Sequence, residues 1–315
     1  MAHIEFIVDK IVDNYLEMKR FCPGTKFIFP VKCCQNDRFL SKINQYVDGY
    51  DISNEREYKC ITPYLENRII CATGPLSMQL LNYPNVLVAA NTIDSWVTGS
   101  GIRVNFNNSD MFSKTHFGVE LCRMPANILE NSGYVHFHIS DNRDENIKEE
   151  IISNIESIMK LFPKLEVLNV GGHLTNMSKN EAIDYLNRIR RVLQDDIELI
   201  VEAGDFFVEN SGYLYCDVIE SFFDQNTQIV YLNVSKEAQL RWSYPKLTRD
   251  YRKETDTLYN TVFYGASCHE NDLIAKSTCK QLKKGDCTVF ENITTYSSEW
   301  NKTFNGLEEI KIFFL

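Results

Sequence analysis

Eight short apolar runs recur between residues 26 and 203, and no other feature of the chain limits its fold so strongly. They are KFIFPVK (26–32), DGYDIS (48–53), RIICAT (68–73), VLVAAN (86–91), GIRVNF (101–106), YVHFHI (134–139), LEVLNV (165–170) and IELIVEA (197–203). Most are near-continuous and rich in β-branched and aromatic residues, the pattern of parallel strands covered on both faces. Between them lie helical stretches. The clearest, 144–162 and 179–194, carry apolar residues at three- and four-residue spacing, and Ser178 is placed to cap the second. Shorter helical stretches fit 37–46, 55–66 and 76–82, and a helix over 9–21 precedes the first strand. Eight strands alternating with helices predict an α/β fold, a closed (β/α)8 TIM barrel. The alternative is an open doubly wound sheet. Its glycine-rich nucleotide turn after the first strand is absent, and VKCCQND stands there instead.

After residue 205 the pattern changes to strands joined by turns, in FFVENSGYLYCDVIESFF, TQIVYLNVS, TVFYGAS, DLIAKSTC and CTVFENITTY, with KKGD (283–286) as a turn signal. This predicts a mostly antiparallel β domain, to which HIEFIV near the start adds a strand. The expected division is a barrel over 20–220, with 1–19 and 221–315 forming the β domain. A chain of 315 residues with 44% hydrophobic and 24% charged residues is long and apolar enough for both cores. A net charge of −10 argues against a nucleic-acid partner and is read as solubility. The ten cysteines are not dense, and several sit in apolar runs, as buried free thiols do. No secretory signal or membrane-spanning stretch is read at the N-terminus or elsewhere, which leads to the expectation of a cytoplasmic protein. No metal site is read.

In a (β/α)8 enzyme the chemistry sits at the carboxyl ends of the strands. Those ends bring one lysine (Lys32), one histidine (His138), one carboxylate (Glu202) and the pair Gly171-Gly172 to one mouth. Lys32 follows KFIFPV, and an apolar setting lowers a lysine's pKa, leaving an amine able to attack an aldehyde. Against this stands a plain surface lysine at a strand end. Gly171-Gly172 follows the seventh strand, where barrels commonly bind phosphate, but a glycine pair is also an ordinary turn. Glu202 ends a very apolar strand and needs a partner: a ligand's pyridinium nitrogen, or an internal ion pair with Arg103 or Lys32. His138 is placed to stack on a planar ring, or is a satisfied core residue. His136 shares its side of the strand and lies deeper.

FPVKCC, GYDISNEREY, VHFHI, LNVGGHLTN, VEAGD, GASCHEND, TTYS and TFNG occur in that order from about residue 27 to 306. In that order they resemble the motifs of the fold-type III pyridoxal-phosphate decarboxylases, which have an alanine racemase/ornithine decarboxylase-like barrel and β domain. Within the group, HFH, GGH and the acid Asp205 are most similar to the carboxynorspermidine/carboxyspermidine decarboxylases. The chain is also similar to the decarboxylase of microcin C-type antibiotic biosynthesis, which converts a 3-amino-3-carboxypropyl group to aminopropyl. Val170, Ala203, Pro30 and His269 depart from the group's motifs.

The resemblance implies pyridoxal 5′-phosphate held by Lys32 as a Schiff base, with His138 covering one ring face and Glu202 on the ring nitrogen. It implies Gly171, Gly172, Gly204 and Tyr296 at the phosphate, and Cys268 as proton donor from the partner subunit of a homodimer with shared active sites. It further implies Asp205, His269 and Asp272 at an amine or amino-acid substrate. The expected reaction is decarboxylation of an α-amino acid group at the end of an amine-bearing molecule. An amino-acid racemase and a non-catalytic relative are the rival readings.

Overall fold

In a computed structural model of the chain, which describes residues 2–248, 251 and 257–315, all eight expected barrel strands form. They are Thr25–Pro30, Gly49–Ile52, Ile69–Ala72, Val86–Ala90, Gly101–Asn105, Tyr134–His136, Val167–Asn169 and Glu198–Val201. Each pairs in parallel with the next, and the eighth pairs with the first, so the sheet closes on itself. A two-residue strand, Val119–Glu120, lies beside the fifth. The near-continuous apolar runs are explained by this closure, since a barrel strand has one face inside and one under helices. Ile28, Cys71, Ala89, Tyr134 and Ile200 pack together as one buried cluster contributed by five different strands.

The outer helices start and stop where local chemistry dictates. Asp144 caps Glu145–Leu161 by accepting from Ile147 N–H at 2.9 Å. Ser178 and Glu181 form a reciprocal capping box at the head of Lys179–Val192. That helix buries Ala182, Tyr185, Leu186 and Ile189, the spacing of one helical face. The stretch expected as a helix over 76–82 is only a 3-10 turn, Ser77–Leu80. Pro75 and Pro84 bracket it, leaving too few residues for a stable α-helical run.

The β unit contains the strands His3–Phe6, Gly212–Asp224, Thr227–Leu232, Lys246–Leu247, Leu258–Tyr264, Leu273–Lys280, Cys287–Glu291 and Lys311–Phe314. Most pairings are antiparallel. Thr227–Leu232 with Leu258–Tyr264 and His3–Phe6 with Lys311–Phe314 are parallel. The chain divides into units Asp13–Phe207 and Met1–Val12 with Val208–Leu315, not at 19/20 and 220/221 as expected. Contacts set the division. Most of helix Val8–Phe21 serves the barrel, with Tyr15 stacked on Phe207 and Lys19 paired to Asp48. All of strand Gly212–Asp224 belongs to the β sheet through Cys287–Glu291 and Thr227–Leu232. All ten cysteines are free thiols. Among the described residues no helix is long and apolar enough to cross a membrane.

Candidate active site

The first strand ends at Pro30, which closes the ladder because proline has no N–H to donate. The chain then turns through the 3-10 segment Val31–Cys33, which lifts Lys32 out of the strand. Its side chain is crowded by protein, yet 44% of its surface still meets solvent. Lys32 Nζ lies 3.9 Å from Asp51 Oδ2. Here the structure corrects the sequence reading. Burial does push the ammonium's pKa down, but Asp51, Glu202, Cys33 and Glu57 push it up harder, and the net shift is upward. Without a ligand Lys32 is therefore a cation, because the same mouth that desolvates it also supplies the carboxylates.

Asp51 is the penultimate residue of the second strand and is 1% exposed. Its Oδ1 accepts from Thr73 Oγ1 at 3.0 Å, and its buried Oδ2 has no hydrogen bond. Burial, then the nearby Glu202, raise its carboxyl well above the usual range, with Lys32 pulling it back. Glu202 follows the eighth strand and is gripped rather than loose. Asn169 Nδ2 donates to Glu202 Oε1 at 2.6 Å, and His136 Nε2 lies 3.5 Å from the same oxygen. Burial pushes the Glu202 carboxyl up, but His136 and Lys32 push it down further, to about 2. His136 is itself pushed down by burial against the pull of Glu202. At neutral pH the imidazole is uncharged, so His136 holds Glu202 as a hydrogen-bonding neighbour while Lys32 supplies the positive charge. The internal partners anticipated for Glu202, Arg103 or Lys32, are not its hydrogen-bond partners. Arg103 faces the Phe117 ring at 4.8 Å, and burial lowers its pKa against the pull of Glu202 and Asp51.

The glycine pair is required by space. Gly171 has φ +70°, and a Cβ there would meet His138 Nδ1 at 2.6 Å; one on Gly172 would meet Glu202 O at 2.2 Å. Gly171 N–H donates to Asn169 Oδ1 at 2.9 Å, and Gly172 N–H to His138 Nδ1 at 3.3 Å. His138 thus sits against the glycine turn, with burial and then Lys32 pushing its pKa down to about 3. A neutral ring accepting on Nδ1 carries its proton on Nε2. Gly204 N–H contacts Glu202 O at 3.2 Å, and a Cβ on Gly204 would meet Cys33 Sγ at 2.4 Å, so glycine lets this turn pack onto the Lys32 turn. Asp205 lies in the first turn of the short helix Gly204–Val208. Its Oδ1 is buried without a partner, and burial raises its carboxyl to about 7.

The remaining expected residues lie in the β unit. Cys268 and His269 are exposed on the loop after Leu258–Tyr264, and Cys268 N–H donates to Asn305 Oδ1 at 3.2 Å. Asp272 was expected at the substrate's amine, and the structure gives it different work. It is 1% exposed, its Oδ1 accepts from Lys236 N–H at 2.6 Å, and its Oδ2 accepts from Ser267 N–H at 3.1 Å and Ser267 Oγ at 2.5 Å. With both oxygens engaged, it shapes the loop that carries Cys268. Tyr296 stands edge-on to Trp242, with ring centroids 4.8 Å apart.

Asp51, His136 and Asn169 were missed as site residues. The available signal was strand register: Arg103, His136 and Asn169 lie side by side on the fifth, sixth and seventh strands. Each ends or nearly ends its strand, one layer below the residues first singled out.

No family profile matches the chain. Antizyme inhibitor 2 of Xenopus laevis is 21% identical over 360 aligned positions, covering 96% of this chain and 79% of that protein. The arginine decarboxylase of Paramecium bursaria Chlorella virus, solved bound to agmatine, superposes with a TM-score of 0.84 at 16% identity, covering 100% of this chain and 96% of the other. Carboxynorspermidine decarboxylase of Campylobacter jejuni, solved with norspermidine, superposes with a TM-score of 0.75 at 18% identity, covering 98% and 92%. The chain has the barrel-plus-β-domain fold of these decarboxylases.

Proposed function

We propose that this chain is a pyridoxal-phosphate-dependent carboxy-lyase acting on an α-amino acid group carried by an amine-bearing molecule. One observation carries the reading. Glu202 is a buried carboxylate held ionised in the barrel mouth beside Lys32, with Oε1 gripped and no described residue donating to Oε2. A buried charge left half-paired is costly unless a ligand completes it, and a pyridinium N–H is such a ligand.

The residues fit the cofactor at its ring. Lys32 reaches the mouth, neutral His138 lines it, and Glu202 offers the open oxygen. At the phosphate end the amides are already engaged, and Gly172 N–H, with the longer bond at 3.3 Å, is the one most easily given up. Bound there, the cofactor supplies an electron sink for the pair left behind when carbon dioxide departs. Lys32 must lose a proton before it attacks a carbonyl. Asp51 Oδ2, 3.9 Å away and without a hydrogen bond, is the carboxylate oxygen that holds the ammonium form, so a ligand that loosens this pair favours that loss. Cys268, supplied by the partner subunit of a homodimer, is the proton donor to the substrate carbon. Mixing Lys32→Ala and Cys268→Ala chains should then restore part of the activity. No recovery between chains that demonstrably exchange overturns the shared site.

The substrate assignment rests on Asp205, an acid close to the Lys32 turn, and on the amine ligands named for the superposed structures, agmatine and norspermidine. A carboxynorspermidine- or carboxyspermidine-like substrate is the primary assignment. A 3-amino-3-carboxypropyl group destined to become aminopropyl is the alternative. The likeness to an antizyme inhibitor favours a second reading, a ligand-binding regulator without turnover.

Borohydride reduction with pyridoxal phosphate should label Lys32. Carbon dioxide release should then be measured on carboxynorspermidine, carboxyspermidine, an aminocarboxypropyl-nucleotide, ornithine, lysine and diaminopimelate. A higher kcat/KM on one of the last three overturns the substrate assignment. Labelling without release from any of them favours the regulator. No labelling of Lys32 overturns the cofactor reading.

A further inference from the structure

Three residues on adjacent strands of the closed sheet, Arg103, His136 and Asn169, stand in register behind the mouth. Asn169 is fully buried and His136 is 1% exposed. Asn169 has all its work visible, with Oδ1 accepting from Gly171 N–H and Nδ2 donating to Glu202 Oε1 and, at 3.2 Å, contacting Tyr134 OH. His136 does not. Neither ring nitrogen has a hydrogen bond within ordinary range, and Nε2 lies 3.5 Å from Glu202 Oε1.

We propose that His136 is a positioning residue for Glu202: its Nε2–H and the Asn169 amide close the Oε1 side, so that Oε2 alone is presented to a ligand N–H. The role in ligand binding rests on the function proposed above; the contact with Glu202 does not.

A neutral imidazole carries one N–H and one lone pair. Were the proton on Nδ1, a donor would be stranded in the core while the Nε2 lone pair faced a carboxylate oxygen. With the proton on Nε2, the donor faces Oε1 and only a weak acceptor is left unpaired, the less costly arrangement. The groups around this pair are Lys32, Asp51, Cys71, Arg103, Tyr134 and His138, and burial outweighs Glu202 in keeping the His136 ring uncharged. The lack of charge matters. A cation at this position would neutralise Glu202 from behind and weaken its hold on a cationic ring N–H. A neutral donor orients the carboxylate and leaves its charge for the ligand.

The test has two arms. In the first, nitrogen NMR on histidine-labelled protein without cofactor, assigned by the signal lost in His136→Gln, should show the Nε2–H tautomer unchanged from about pH 5 to 8. An Nδ1–H tautomer, or protonation near the ordinary 6.5, overturns the proposal. In the second, equilibrium binding of pyridoxal phosphate should weaken about ten- to a hundredfold in His136→Leu, which fills the space without a donor. His136→Gln, which keeps an N–H, should stay within about threefold of wild type. Wild-type affinity in His136→Leu overturns the positioning role. Should His136→Leu fail to fold, the tautomer and the affinity of His136→Gln decide. If the wild-type chain binds no pyridoxal phosphate, the proposed function falls, and the tautomer alone decides the contact with Glu202.

Discussion

The mouth of the barrel and the Cys268 loop of the β unit place reactive side chains in opposite ways. In the mouth, Asp51, His136, Asn169 and Glu202 are nearly or fully buried, and their positions are set by strands locked in a closed sheet. On the loop, Cys268 and His269 are exposed, and order comes from beneath, through Asp272 and the Asn305 contact. The mouth is built before a ligand arrives, with charges placed at a desolvation cost that a ligand can relieve. The loop is held from beneath and leaves the Cys268 and His269 side chains exposed. Buried polar groups held by a rigid frame are therefore the safer guide to chemistry, and an exposed cysteine needs its context.

The largest effect expected is on the mouth. Lys32→Ala should cost on the order of a thousandfold or more in turnover, measured as carbon dioxide release, while the thermal unfolding midpoint changes little. A large loss of stability instead would make Lys32 a scaffold residue and erase the contrast between the regions. The next effect falls beneath the loop. Asp272→Ala removes the acceptor for two backbone N–H groups and a hydroxyl, and should destabilise the fold by about 3 kcal/mol in a urea titration. A value near zero would mean the loop orders itself without the buried carboxylate.

A pH effect comes third. Asp205 is raised in the folded chain from the ordinary 3.8 to about 7, so folded protein binds that proton more tightly than unfolded protein. Its contribution to stability is present below the unfolded value and is lost as pH rises through the folded one. Wild type should therefore lose thermal stability relative to Asp205→Asn between pH 3.8 and about 7, and run parallel to it above. Curves parallel throughout would mean the carboxyl is solvated. The smallest effect is Cys268→Ala on stability, expected within about 0.5 kcal/mol because the side chain is exposed and only the backbone is anchored. A larger loss would place Cys268 in the packing rather than on a presenting loop.

The barrel was legible because parallel strands covered on both faces leave near-continuous apolar runs, and all eight appeared within a few residues of their expected bounds. The cap at Ser178 was legible because capping is local chemistry. Strand ends also pointed to Lys32, His138, Gly171, Gly172 and Glu202 as neighbours. The helix expected over 76–82 was overstated, since periodicity does not count the prolines that bracket it. The domain edges were misplaced because helix Val8–Phe21 and strand Gly212–Asp224 look alike from either side of the boundary, and only their partners distinguish them.

The sequence by itself determined the eight barrel strands, their alternation with helices, the cap at Ser178 and the list of polar strand ends, since each depends on neighbours within a few residues. The tertiary structure alone decided that Lys32 is a cation, that Glu202 answers to Asn169 and His136 rather than to Arg103, and that Asp272 is spent inside its own loop. Charge state and hydrogen-bond partner are set by distance and burial. Closing the barrel brings Lys32 and Glu202, 170 positions apart in the chain, into one desolvated space that no local pattern encodes.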